Sequence, residues 1–162
     1  MTPRAAKLAL IFAIALYYAL VVFNNLADYG SNYQFVRHVL RMDTTFSGNH
    51  GLWRALERPV WHTLFYLWII GWETVTSLLC GWGGWRLAKA FGKTPAEFHR
   101  AKRWAIAGLT LGSLLWLVAF LSAGGEWFLM WQSKLWNGQE AAFRMFTVTA
   151  FVLLLVALPE VE

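Results

Sequence analysis

Cysteine is almost missing from this chain of 162 residues, and charge is scarce. The single Cys80 excludes an internal disulfide and any cysteine-based metal site. Charged residues make up 14% of the chain against 58% hydrophobic, and a soluble domain of this length has no core large enough to hide that much apolar surface. An integral membrane protein is therefore expected. There is no HExxH, phosphate loop, dinucleotide fingerprint or G-x-S-x-G element, so no catalytic constellation is found and an enzyme is not expected. Gly81-Trp82-Gly83-Gly84 is glycine-rich but falls at a helix end rather than after a strand. No internal repeat or low-complexity tract is found either.

Histidine offers little to a cofactor. Haem in a membrane bundle needs axial ligands at mid-depth, commonly His from facing helices. His38, His50 and His62 fall in or near the outer parts, and His99 falls on the opposite side. No cofactor and no metal site are expected. The net charge of +5 has a simple source in the basic loops of membrane proteins, and Arg100-Ala101-Lys102-Arg103 reads as such an anchor rather than a nucleic-acid patch.

Aromatic residues are abundant, with eleven Trp, twelve Phe and five Tyr. Many belong in the two interfacial belts, where an amphipathic ring suits the headgroup level. Four apolar runs are long enough to cross roughly 30 Å of hydrocarbon at about 1.5 Å per residue. They cover about 3–26, 59–89, 96–123 and 138–158. Thr2-Pro3 opens the first and Pro59 the second, with proline at the first helical position. Thr94-Pro95-Ala96-Glu97 is a capping box before the third, which is expected to stop at Gly124-Gly125. Asn137-Gly138 precedes the fourth, Glu140 lies in its first turn, and Pro159 ends it. A cleaved signal peptide is a poor reading of the first run, whose apolar part is too long and lacks a small-x-small site.

The fold class expected is all-α, one domain over 1–162 with four transmembrane helices in a bundle. Basic residues set its orientation. Arg4, Lys7, Arg86, Lys89, Lys93, Arg100, Lys102 and Arg103 fall on the side of the termini; Arg37, Arg41, Arg54, Arg58 and Lys134 fall on the other. That is eight against five, so both termini are expected in the cytoplasm. Between the first two spans, Phe35, Val36, Val39 and Leu40 share one face of a short amphipathic helix, which lies on the bilayer or caps the bundle. The segment around Trp127, Trp131 and Trp136 is too short to span and belongs at the interface or against the bundle.

One residue in "LWIIGWETVTSLLCGW" does not suit a membrane helix. Glu73 stands about 21 Å of helix rise from Pro59, near mid-depth. At about 100° per residue it shares a stripe with Thr76, Ser77, Cys80 and Gly84, extended outward by His62, Tyr66 and Ile69. Trp61, Phe65, Trp68, Trp72, Val75 and Leu79 form the opposite stripe. A carboxylate facing lipid is costly, so Glu73 is expected inside the bundle. The third run has a stripe of small residues, Ala101, Ala105, Gly108, Gly112 and Ala119, whose Gly108–Gly112 step suits close helix packing.

Two readings of Glu73 stay open. In one it is protonated, or hydrogen-bonded to Thr and Ser, and orders the bundle. In the other it belongs to a ligand or proton site, with Arg144 reaching toward it and Asn24, Asn25, Asp28, Glu126 and Gln132 lining a polar chamber that opens outward. Arg144 also has a local candidate partner in Glu140, four residues earlier. The outer Asn and Asp residues otherwise serve as caps.

"NNLADYGSNYQFVRHVLRMDTTF", "GGEWFLMWQSKLWNGQEAAFR" and the Trp72-Glu73 pair together resemble a bacterial family of predicted small integral membrane proteins catalogued as domain of unknown function 2165. The resemblance spans nearly the whole chain. It implies a four-helix bacterial membrane protein and implies no activity, substrate or cofactor; the location expected is the bacterial cytoplasmic (inner) membrane. The expected role is a structural or accessory partner of another membrane protein, or a homo-oligomer. The rival is binding or transport of a small ligand, a quinone or a proton at Glu73. Four helices are few for a monomeric alternating-access transporter.

Overall fold

A computed structural model describes residues 2–160, all of whose regular structure is helical among those residues. Helix α1 covers Pro3–Ala27, α2 Tyr29–Arg41, α3 Pro59–Lys89, α4 Pro95–Ala101, α5 Arg103–Leu114 with its continuation Leu115–Trp127, and α6 Gln139–Ala157. Four of these are long and apolar enough to cross a membrane: α1, α3, α5 with its continuation, and α6.

The starts follow local chemistry. Thr2 Oγ1 accepts the Ala5 N–H, and Pro3 follows it. Thr94 and Glu97 form the reciprocal capping box, with Glu97 Oε2 accepting the Thr94 N–H at 3.2 Å. Each cap satisfies a donor that the first helical turn leaves free.

The third span departs from its expected form at both ends. It breaks at Lys102, between α4 and α5, and it runs through Gly124 and Gly125 to Trp127. Its last thirteen residues are π-helical. The Phe128 N–H reaches the Ala123 carbonyl, and Ser122 Oγ the Leu117 carbonyl, both five residues back. The two glycines do not end the helix, whose hydrogen bonding continues past them to Trp127. A Cβ on Gly125 would meet Gln139 Nε2 at 2.5 Å, and Gly124 lies against Met130.

Lipid tails are as apolar as leucine, so burial alone does not hold such helices together; close approach and polar contacts do. Helix α3 is the centre, flanked by α1 and α5, while α6 packs chiefly on α5 and its continuation. An added Cβ on Gly83 would overlap the Ala105 backbone, and one on Gly108 would lie 2.7 Å from Cys80 Sγ. At Gly112 the obstacle is the Tyr18 hydroxyl. The Gly108–Gly112 step is therefore consumed within the chain by α3 and α1.

Two apolar clusters result. The inner one joins Ile11, Ile14 and Tyr18 to Cys80, Leu87, Ala105, Leu109 and Val156. The outer one joins Val36, Val39 and Leu40 of α2 to Tyr66, Ile70, Phe128 and Met130. Helix α2 thus caps the bundle. The 128–136 segment folds over it, tied by Thr44 Oγ1 donating to Ser133 Oγ and by Trp136 stacked on His38.

Candidate functional site

Helix α3 buries His62, Tyr66, Ile70, Glu73, Thr76, Cys80, Gly83, Gly84 and Leu87. These recur at three- and four-residue steps, the face that helical spacing predicts. Trp61, Phe65, Trp68 and Val75 are exposed on the other side. Trp72 and Leu79 are the exceptions on that stripe: both are half-buried, Leu79 against Gly108 of α5, and the Trp72 Nε1–H donates to the Leu111 carbonyl of α5 at 2.9 Å. Trp72 lies at the edge between the lipid face and the α5 contact, where an indole nitrogen finds a partner.

Glu73 is 2% exposed and meets α1. Asn25 Nδ2 donates to Glu73 Oε2 at 2.7 Å. The Tyr66 hydroxyl donates to the Asn25 backbone carbonyl at 2.9 Å, within the last turn of α1. Tyr66 in turn packs edge-on against Tyr29 and Tyr33 of α2. The network joins the three elements at the level where the inner core gives way to the outer cap.

The neighbouring hydroxyls look elsewhere. Thr76 Oγ1 donates to the Trp72 carbonyl, and Ser77 Oγ to the Ala15 carbonyl across the α1 interface. Deeper, Trp116 Nε1–H donates to the Tyr18 hydroxyl at 2.7 Å.

Of the expected chamber, only Asn25 reaches Glu73. Asn24 is exposed, and its carbonyl receives the Asp28 N–H. Asp28 is exposed at the α1–α2 corner. Gln132 Oε1 accepts the Phe46 N–H and Asn49 Nδ2–H, holding one outer loop to the other. Glu126 is exposed at the outer end of the third span. Arg144 is exposed too, because α6 turns Ala142, Thr149, Val152 and Val156 inward and packs beside α5 rather than beside α3. It is not brought to Glu73, nor into an ion pair with Glu140 among the described residues.

A second polar cluster lies at the opposite end of the bundle and is not foreseen by the sequence reasoning. Lys102 Nζ is 2.5 Å, and Lys7 Nζ 2.6 Å, from Glu160 Oε1. Both lysines also donate to the Leu158 carbonyl, at 2.6 and 3.1 Å. Arg4 adds an ion pair to Glu160 at 3.6 Å and donates to the Phe91 and Lys93 carbonyls. Burial opposes ionisation of Glu160, but the hydrogen bonds from Lys102 and Lys7 outweigh it and hold the carboxyl below its usual range. Burial lowers the Lys102 ammonium, with Glu160 offsetting part of that. Lys7 one turn inside an apolar helix, and Lys102 at the break between α4 and α5, were the available signals.

The family described as predicted small integral membrane protein (DUF2165) matches residues 3–159. The chain belongs to that family. The match covers all four spans and both outer segments of this DUF2165 protein, in keeping with the resemblance read from its motifs. No curated protein and no solved structure matches the chain. The family places the chain in a lipid bilayer and brings no reaction, ligand or partner with it.

Proposed function

We propose that this DUF2165 protein is a non-enzymatic accessory subunit that docks against another integral membrane protein or a second copy of itself. One observation carries the reading. The intramembrane carboxylate is enclosed and bonded to Asn25, while large apolar side chains outside the spans stand open. Trp53 and Leu135 are each 77% exposed on the outer cap. Glu73 lines none of the clefts at the α2–α3 groove, the α1–α3 face or the terminal end. A carboxylate used in this way orders helices rather than carrying cargo.

The location proposed is the bacterial cytoplasmic membrane, with both termini in the cytoplasm. The support is the eight-to-five excess of basic residues on the terminal side and the family resemblance.

Photo-crosslinking in native membranes tests the role. A photoreactive residue at position 53 or 135 should give one stoichiometric product, either a heterologous membrane protein or a dimer. Trp53→Ser with Leu135→Ser should abolish it, and Glu73→Gln should leave it intact. A monodisperse monomer that crosslinks to nothing at either position would overturn the proposal. Loss of activity in Glu73→Gln with the crosslink retained would favour the ligand or proton reading.

A further inference from the structure

The basic residues on the terminal side divide into two sets. Arg4, Lys7 and Lys102 are engaged by Glu160 and by backbone carbonyls. Five others, Arg86, Lys89, Lys93, Arg100 and Arg103, line one cavity of about 490 Å³ between the end of α3 and the α4–α5 junction. None of the five makes an ion pair among the described residues. The one carboxylate on its wall, Glu97, is committed to the Thr94 backbone and hydroxyl. An orientation bias requires basic loops, but it does not require that they converge on a hollow. Five cations against one carboxylate leave the hollow with an excess of positive charge, which suits an anion.

The cavity shares one wall residue with an apolar cleft on the α1 side of α3. That residue is Trp85, and the cleft, of about 780 Å³ between α1 and α3, is walled by Phe12, Leu16, Leu78 and Trp82. Phe12, Leu16, Leu78, Trp82 and Trp85 are all exposed. Gly81 forms part of the cleft, and a Cβ added there meets nothing within 4 Å. Along α3 the cleft gives way to the basic cavity within a few turns, since Leu78 and Lys89 are about 16 Å apart in helix rise. Trp82 and Trp85 lie side by side at that transition, with Lys89 Nζ 4.0 Å over the Trp85 ring. Apolar groove, indole pair and cationic hollow follow one another in the order of a lipid's chain, glycerol region and phosphate.

We propose that these two cavities form one binding site for an anionic phospholipid of the terminal-side leaflet. The phosphate sits among Arg86, Lys89, Lys93, Arg100 and Arg103. One acyl chain lies along the α1–α3 cleft over Gly81. The site is independent of Glu73 and of the outer cap.

Native mass spectrometry of the full chain in detergent tests this, with phosphatidylglycerol, phosphatidylcholine or inorganic phosphate added. Phosphatidylglycerol should be retained about tenfold or more over phosphatidylcholine. Millimolar inorganic phosphate should not displace it. Replacing Arg86, Lys89 and Arg103 together by Gln should abolish the preference, whereas Lys134→Gln on the outer side should not. Gly81→Leu, whose Cβ would meet nothing within 4 Å and whose side chain would enter the cleft, should weaken phosphatidylglycerol retention severalfold. Equal retention of the two lipids overturns the site. Displacement by inorganic phosphate overturns the lipid as its occupant. Unchanged retention in Gly81→Leu overturns the chain-binding half. Should the triple variant fail to fold, the wild-type lipid ratio and Gly81→Leu still decide.

Discussion

Asn25 Nδ2 and Glu73 Oε2 lie 2.7 Å apart across the α1–α3 interface, and neither residue is open to the surface. The pair holds the end of the first span to the middle of the second. Tyr66 holds the Asn25 backbone from the same helix as Glu73, so one residue of α1 is gripped from two points of α3 about two turns apart.

A neutral amide at position 73 offers the same acceptor to Asn25. Glu73→Gln is therefore expected to keep the fold and its midpoint in a detergent unfolding titration. Glu73→Ala leaves the Asn25 amide without a partner in an enclosed setting, and should cost about 1–3 kcal/mol. Equal losses in the two variants would show that the hydrogen bond does not hold the helices.

Glycines on α3 separate into packed and open positions. A side chain at Gly83 would overlap the Ala105 backbone, which has no rotamer with which to move aside. Gly83→Ala should destabilise the bundle by about 1–3 kcal/mol, the usual range for overpacking. Gly81→Ala, facing open space, should be neutral or slightly stabilising. The same unfolding titration reads both, and a reversed order would contradict the close α3–α5 contact.

The clasp on Glu160 is pH-dependent in a defined direction. Its carboxyl is lowered in the folded chain relative to its ordinary value, so the unfolded form binds the proton more readily. The stabilisation is complete above the ordinary carboxylate range and is lost as pH falls through the lowered value. A spin label on the 157–160 segment should be immobile at neutral pH and should gain mobility in that acidic window. Glu160→Gln should be mobile at neutral pH already.

Topology is accessible through the single cysteine. Cys80 is fully buried, so background labelling in the native protein should be low. Ser47 and Lys93 are both exposed, at opposite ends of the bundle. In intact cells a membrane-impermeant maleimide should modify Ser47→Cys and should leave Lys93→Cys untouched until the membrane is opened. The opposite pattern would invert the chain.

Much of the architecture was legible because its causes are local. Pro3, Pro59 and Pro95 start helices by their fixed backbone angle and missing N–H, whatever surrounds them. The buried face of α3 follows from periodicity together with the cost of a carboxylate in lipid, and Glu73 lies on it. Gly124 and Gly125 do not end the third span, since a glycine only permits a helix to stop, and here the hydrogen-bonded turns run past them to Trp127.

The sequence by itself determined the four spans, the amphipathic α2 and the side of α3 that carries Glu73, since hydropathy, capping and periodicity act within a few turns. Only the tertiary structure decided who meets whom. It put Asn25 rather than Arg144 beside Glu73, and placed α3 and α1 rather than another protein against Gly108 and Gly112. It also gathered Lys7, Lys102 and Glu160 at one point. The physical reason is that helices in a bilayer present similar apolar faces to lipid and to one another. Neighbours are then chosen by the fit of small residues and by a few polar contacts between segments far apart in the chain.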